Sequence, residues 1–134
     1  MILMYNVLFT KTKNCILIEV PDLDILSEGK NMHDAILMAR DAIGATILTL
    51  EDNGKKPPKM SKEINVKKGT FSNKGKTIVS IVDIDMDEYK AKYDNKMIRR
   101  NITIPHWLNE KAKKLRINVS KVLQEALKDK VAMF

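Results

Sequence analysis

The chain has 134 residues, of which 44% are apolar and 31% charged, and its formal net charge is +7. That length suits one ordinary domain, or a small domain with an appended module. No apolar run approaches the roughly 20 residues needed to cross a bilayer, and the first residues lack the charged flank and cleavage site of a secretory leader. The single cysteine, Cys15, cannot close an internal disulfide and lies in the run Cys15-Ile16-Leu17-Ile18, where a buried structural thiol is expected. A cytoplasmic protein is expected, with no membrane partner.

The charge is unevenly placed. Residues 96–134 hold 10 Lys and Arg against 3 Asp and Glu, whereas residues 1–95 hold 14 of each sign. A basic module on a neutral body points to a nucleic-acid partner. The division predicts two domains, 1–95 and 96–134.

In chain order, residues 1–10 and Cys15–Val20 read as a hairpin across the polar turn Lys11–Asn14. Pro21-Asp22-Leu23 ends it, and a short strand is expected at Asp24–Glu28. Asn31 is a candidate N-cap with Asp34 three residues on. Met32, Ala35, Ile36, Ala39, Ala42, Ile43, Ile47 and Leu50 then recur at helical spacing, up to a stop at Asn53-Gly54. Leu37 and Leu48 fall off that stripe, as candidate partner contacts or as two isolated exposed leucines. A short strand is expected near Ile64–Lys67. Thr77–Ile84, apolar on both faces, reads as a central strand, and Met86–Tyr93 as a short helix capped by Asp85 or Asp87. The pattern predicts an α+β fold: a small, mostly antiparallel sheet under one long helix.

Asp83, Asp85 and Asp87 alternate along a strand end, with Asp22 and Asp24 at another. Clustered carboxylates could hold a metal pair for nuclease chemistry, but Asp at strand ends and helix starts is expected for capping alone. His33 and His106 lack partners at ligand spacing, and no glycine-rich phosphate loop occurs. No catalytic residue, metal or cofactor is assigned.

In the basic module, Ile98, Ile102 and Ile104 share one face of an extended segment, and Arg99, Asn101 and Thr103 the other. Pro105 suits a helix start. A first helix carries Trp107, Leu108, Ala112 and Leu115 on its apolar side. Asn118 is expected in the left-handed conformation at the turn. Ser120 is expected to cap a second helix, striped by Leu123, Ala126, Leu127 and Val131. One strand and two short helices cannot enclose a core alone. Two-fold pairing of two chains solves this, with Ile102, Ile104, Trp107, Leu123 and Leu127 at the dimer interface. The shared ribbon would fit a major groove, where Arg reads guanine, Asn reads adenine, and Thr reads either a base edge or the thymine methyl. Ser120 and the second helix's N-terminus would clamp phosphate, and Arg100 and Lys121 complete the candidate DNA contacts.

The segment Arg99-Arg100-Asn101-Ile102-Thr103-Ile104-Pro105, through Asn118-Val119-Ser120 and Glu125-Ala126-Leu127, resembles the ribbon-helix-helix repressors of the MetJ/Arc type. Val20-Pro21-Asp22-Leu23, Ser27-Glu28-Gly29, the long helix to Glu51-Asp52-Asn53-Gly54, and Pro57-Pro58 resemble the HicB antitoxin domain. The resemblance implies a degenerate RNase H-like body without catalytic carboxylates. It also implies a HicA-type mRNA interferase as partner, and autorepression through operator DNA. Candidate toxin contacts are Asp22, Asp24, Glu28, Leu37 and Leu48. Other readings of the residues are a stand-alone DNA-binding regulator and a metal-dependent nuclease. The chain departs from the ribbon-helix-helix pattern at Arg116, where glycine is common before the Ile-Asn step.

Overall fold

The computed structural model describes residues 1–134 and divides the chain into two compact units, Met1–Asn95 and Lys96–Phe134. In the first, β1 (Ile2–Lys11) and β2 (Ile16–Val20) form an antiparallel hairpin. Thr12 closes its turn, donating its N–H and hydroxyl to the Cys15 carbonyl at 3.0 Å each. Cys15 itself is half-buried, because it belongs to this turn and not to the strand interior. A single 3-10 turn at Pro21–Leu23 leads through Asp24, in the left-handed region at φ 53°, into β3 (Ile25–Gly29).

Helix α1 (Met32–Asp52) starts as predicted. The Asn31 side chain accepts the Asp34 N–H at 2.8 Å, and the Asp34 carboxylate accepts the Lys30 N–H at 2.8 Å. The first bond satisfies one of the helix's orphan donors, the second ties the residue before the cap, and an acid sits at the helix's positive end. β4 (Lys76–Asp85) and α2 (Met86–Tyr93) complete the unit.

The four strands are antiparallel in the order β3-β2-β1-β4. Alternation along the strands places Tyr5, Val7, Phe9, Ile16, Ile18, Val20, Val82 and Ile84 in one core with Ala35, Ala39, Ile43 and Ile47 of α1. The small Ala35 and Ala39 permit close approach of helix to sheet. On the opposite face Leu8 and Thr10 are also buried, under the excursion that joins α1 to β4. That excursion is tied down by Asn6 Nδ2 donating to the Ser61 carbonyl (2.8 Å), and by the Thr70 N–H and hydroxyl donating to Glu19 (2.9 and 2.6 Å).

Two strand expectations fail in this unit. The segment near Ile64–Lys67 is not a strand; Asn65 accepts the Lys67 N–H at 3.1 Å and starts a 3-10 turn at Val66–Lys68. A local side-chain bond has outcompeted a ladder. Nor is β4 central. It pairs only with β1 and forms an edge, with Ile78, Val79 and Ile81 exposed.

The second unit contains α3 (His106–Lys114) and α4 (Val119–Val131) after an extended segment. None of its residues is buried. The segment 97–105 has no strand in the single chain, since a lone strand has no neighbour to bond.

Candidate functional site

The geometry of the second unit follows from its turn. Helix α3 ends with the Ile117 N–H donating to the Ala112 carbonyl (3.0 Å) and the Arg116 N–H to that of Lys113 (3.1 Å). This is the double closure of a Schellman motif, which needs a left-handed residue between. Arg116 takes that place at φ 53°. The expectation for Asn118 is therefore corrected: its φ is −80°, extended, and its side chain accepts the Lys121 N–H at 3.1 Å as the N-cap of α4. Ser120 is not the cap but sits inside the first turn. An Asn and a Ser two residues apart compete for one role, and Asn118 has the one with its carbonyl three residues before a free N–H.

Lys111, Lys113 and Lys114 crowd the last turn of α3, and Lys128 and Lys130 that of α4, where cations oppose the negative helix end. Arg99, Arg100, Asn101 and Thr103 are exposed, and so are Ser120 and Lys121. Of the candidate interface residues, Trp107 is 65% exposed, Leu127 64%, Ile102 49% and Leu123 37%; Ile104 is half-buried. Val122, Leu115 and Val131 are exposed as well. These are the positions an amphipathic helix normally turns inward.

The acids of the first unit have local structural partners. Asp22 accepts from the Ser61 N–H at 2.9 Å and from the Ser61 hydroxyl. Asp83 meets Arg40, whose Nη2 lies 3.2 Å from its carboxylate and whose Nε donates to its carbonyl at 2.8 Å. Asp85 caps α2, accepting from Asp87 and Glu88 N–H groups. Asp87 lies beyond the strand, in the helix, where its bond with the Met1 amino group holds its carboxyl below the usual range. The three-acid row of the sequence reading is thus broken by the start of α2 at Met86. No group of three or more His, Cys, Asp or Glu is placed to hold a metal ion.

Helix α2 docks on α1 at Asp41, Gly44 and Glu51. A Cβ on Gly44 would lie 2.5 Å from the Tyr89 ring, so only glycine admits this approach. The Tyr89 hydroxyl donates to the Asp41 carboxylate at 3.2 Å, and Lys90 pairs with Glu51 at 2.7 Å. Burial, and then Asp41, push the Tyr89 phenol up to about 12. Leu48, expected on an outer face, is half-buried and packs against the core. Leu37 remains exposed. It lines a cleft of about 660 Å³ between α1, the end of β4 and α2, together with Met38, Arg40, Asp83, Tyr89 and Tyr93. Met38 and Tyr93, both exposed, were not singled out by the sequence; their signal was apolar character beyond the core stripe. Asp22 and Asp24 fall at the β2–β3 turn and Glu28 near the far end of β3, opposite Leu17; of the five candidate toxin contacts only Leu37 lines the cleft.

A family model described as the HicB_like antitoxin of bacterial toxin-antitoxin systems matches residues 5–127. The chain belongs to this HicB-like antitoxin family. Among solved structures, it is similar to a chain of a toxin–antitoxin complex from Streptococcus pneumoniae, at 20% identity and a TM-score of 0.55, over 97% of this chain and 99% of that one. It is also similar to the antitoxin HicB of Burkholderia pseudomallei, at 20% identity and a TM-score of 0.51, over 98% of each chain. At that identity the likeness is one of fold: α+β, with a small antiparallel sheet. None of the curated proteins matches the chain. No helix of this HicB-like antitoxin is long and apolar enough to cross a membrane.

Proposed function

We propose that this antitoxin neutralises a HicA-like mRNA-interferase toxin by direct binding through residues 1–95, and represses its own operon through residues 96–134. The body is read as a partial RNase H-like sandwich that binds and does not cleave. The C-terminal unit is read as one half of a ribbon-helix-helix dimer. Arg99, Asn101 and Thr103 face the major groove, with Arg100, Ser120 and Lys121 near phosphates. Ile102, Ile104, Trp107, Leu123 and Leu127 lie between the two chains.

The observation that carries the DNA half is the absence of any buried residue in 96–134, although α3 and α4 both bear apolar stripes. A 39-residue unit of this kind gains its core only from a second copy. Its excess of positive charge then suits a phosphate backbone. For the toxin half, family membership gives the partner class. The cleft beside α1, with exposed Leu37, Met38 and Tyr93, is an apolar recess that suits it.

Operator binding tests the first half. Arg99→Ala or Asn101→Ala should cost about 1–3 kcal/mol of specific affinity per disrupted base contact, with little change on random duplex. Equal losses on both duplexes would refute base reading. For the second half, the antitoxin should co-purify with a co-expressed HicA-like toxin, and Leu37→Lys should weaken that complex. An undiminished complex would move the toxin surface elsewhere.

A further inference from the structure

The two edges of the sheet are built differently. β3 has only five residues and ends against α1, with Glu28 exposed along it. Short, charged edges of that kind resist pairing with other chains. β4 has ten residues, Lys76–Asp85, with no proline and no charge between Lys76 and Asp83. Val79 and Ile81 are exposed on one of its faces, beside Met4 of β1, and Ile78 is exposed on the other. The Asp83 carbonyl is taken by Arg40 Nε at 2.8 Å; over the remainder, this long apolar edge presents backbone groups to any strand that can reach it.

The ends of β4 say which strand fits. Its first residue is Lys76, next to Lys11 of β1 and two residues after Lys74, while its last three include Asp83 and Asp85. An antiparallel copy of the same strand would bring the lysine end of each chain against the aspartate end of the other. A parallel copy would set like charges together. Alternation adds a second constraint. A two-fold axis perpendicular to the sheet keeps each face on its own side, so even-numbered residues must meet even-numbered ones. With the axis at Ser80, Ser80 meets its counterpart, Ile78 meets Val82, and Val79 meets Ile81. Every exposed apolar side chain of the strand then gains an apolar cross-strand neighbour.

We infer that β4 is a homotypic interface: two copies of this antitoxin pair their β4 strands antiparallel about Ser80, forming one eight-stranded sheet. The order would be β3-β2-β1-β4-β4-β1-β2-β3, with both α1 helices on the same face. The inference is independent of the DNA-binding reading; it shares the Asp83–Asp85 end of β4 with the cleft proposed for the toxin, and trapping is therefore done on the antitoxin alone. If the C-terminal units also dimerise, each chain holds two separate self-complementary contacts, and the full-length protein assembles beyond a dimer.

Disulfide trapping of the full-length chain tests this. In a Cys15→Ser background, single cysteines are placed at positions 78, 79, 80, 81 and 82, and at Leu26 on β3 as the control edge. After mild oxidation, covalent dimer should be strongest for Ser80→Cys, because directly opposed Cα atoms in an antiparallel pair lie about 4.5–5.5 Å apart, within disulfide reach. In parallel, Val79→Lys combined with Ile81→Lys should lower the mass measured by light scattering by half, with the far-UV circular dichroism unchanged. A trapping maximum at a neighbouring β4 position would uphold the interface and relocate its axis. Trapping no stronger than at Leu26→Cys at all five positions, with the mass unaltered by the lysine pair, would overturn it.

Discussion

The α1–α2 joint makes a prediction whose sign is counter to helix propensity. Gly44 lies within α1, and replacing a mid-helix glycine by alanine ordinarily stabilises by about 0.8–1 kcal/mol. Here the added Cβ would meet three Tyr89 ring carbons at 2.5, 2.6 and 2.7 Å. Carbon pairs settle near 3.5–4.0 Å, so the ring must withdraw by about 1 Å, and the rigid phenol cannot do this by bending its far end. Its withdrawal strains the hydrogen bond to Asp41 and the nearby Lys90–Glu51 pair. Overpacking of this kind costs about 1–3 kcal/mol. Subtracting the propensity gain, Gly44→Ala should destabilise the body by up to about 2 kcal/mol instead of stabilising it. In a Tyr89→Ala background the clash is gone, and the same substitution should stabilise by about 0.8–1 kcal/mol. Urea unfolding followed by far-UV circular dichroism, at one fixed protein concentration, would measure both arms of this cycle. Stabilisation of equal size in both backgrounds would refute the docking of Tyr89 on Gly44.

Other expectations concern single groups. Arg116 stands in a left-handed conformation that costs an L-residue about 1–2 kcal/mol, part of which glycine forfeits through greater unfolded-chain entropy; Arg116→Gly should still stabilise the C-terminal unit, read as a higher urea midpoint of Trp107 fluorescence. Asn118→Ala should cost about 1 kcal/mol through loss of the α4 cap, whereas Ser120→Ala should be close to neutral; the opposite ranking would restore Ser120 as the cap. The Tyr89 phenol is raised from 10.0 to about 12, so the folded body favours its protonated form. Body stability should therefore hold below pH 10 and fall between pH 10 and 12 as Tyr89 ionises. The Lys90 ammonium, raised by its bond to Glu51, acts in the same direction. Tyr89→Phe should flatten a pH series of melting temperatures over that window.

What the sequence made legible was whatever a local pattern determines. The apolar stripe of α1 and its Asn31–Asp34 start were readable because both depend on residues within one or two helical turns. The choice between Asn118 and Ser120 was not, since both residues are good caps and only the backbone path through Arg116 decides between them. The docking of Tyr89 on α1 was not readable because α2 arrives from nearly forty residues on, and its admission depends on Gly44. The five candidate toxin contacts were gathered by residue type, and residue type carries no information about which corner of a sheet each occupies.

The position of β4 is the most instructive of these differences. A strand apolar on both faces is the usual mark of a central position, because each face then has something to cover it. In a single chain β4 is an edge, and the side chains that suggested centrality are exposed. The same mismatch recurs in α3 and α4, whose apolar stripes have no cover within the chain. Apolar patterning reports the surroundings of a residue in its working assembly, while strand order and burial here are those of one chain. Where the two disagree, the physical expectation is a missing neighbour. For residues 96–134 the neighbour we propose is a second C-terminal unit, and for β4 a second β4. Paired in that way, the strand would stand at the centre of eight, the position its composition predicts.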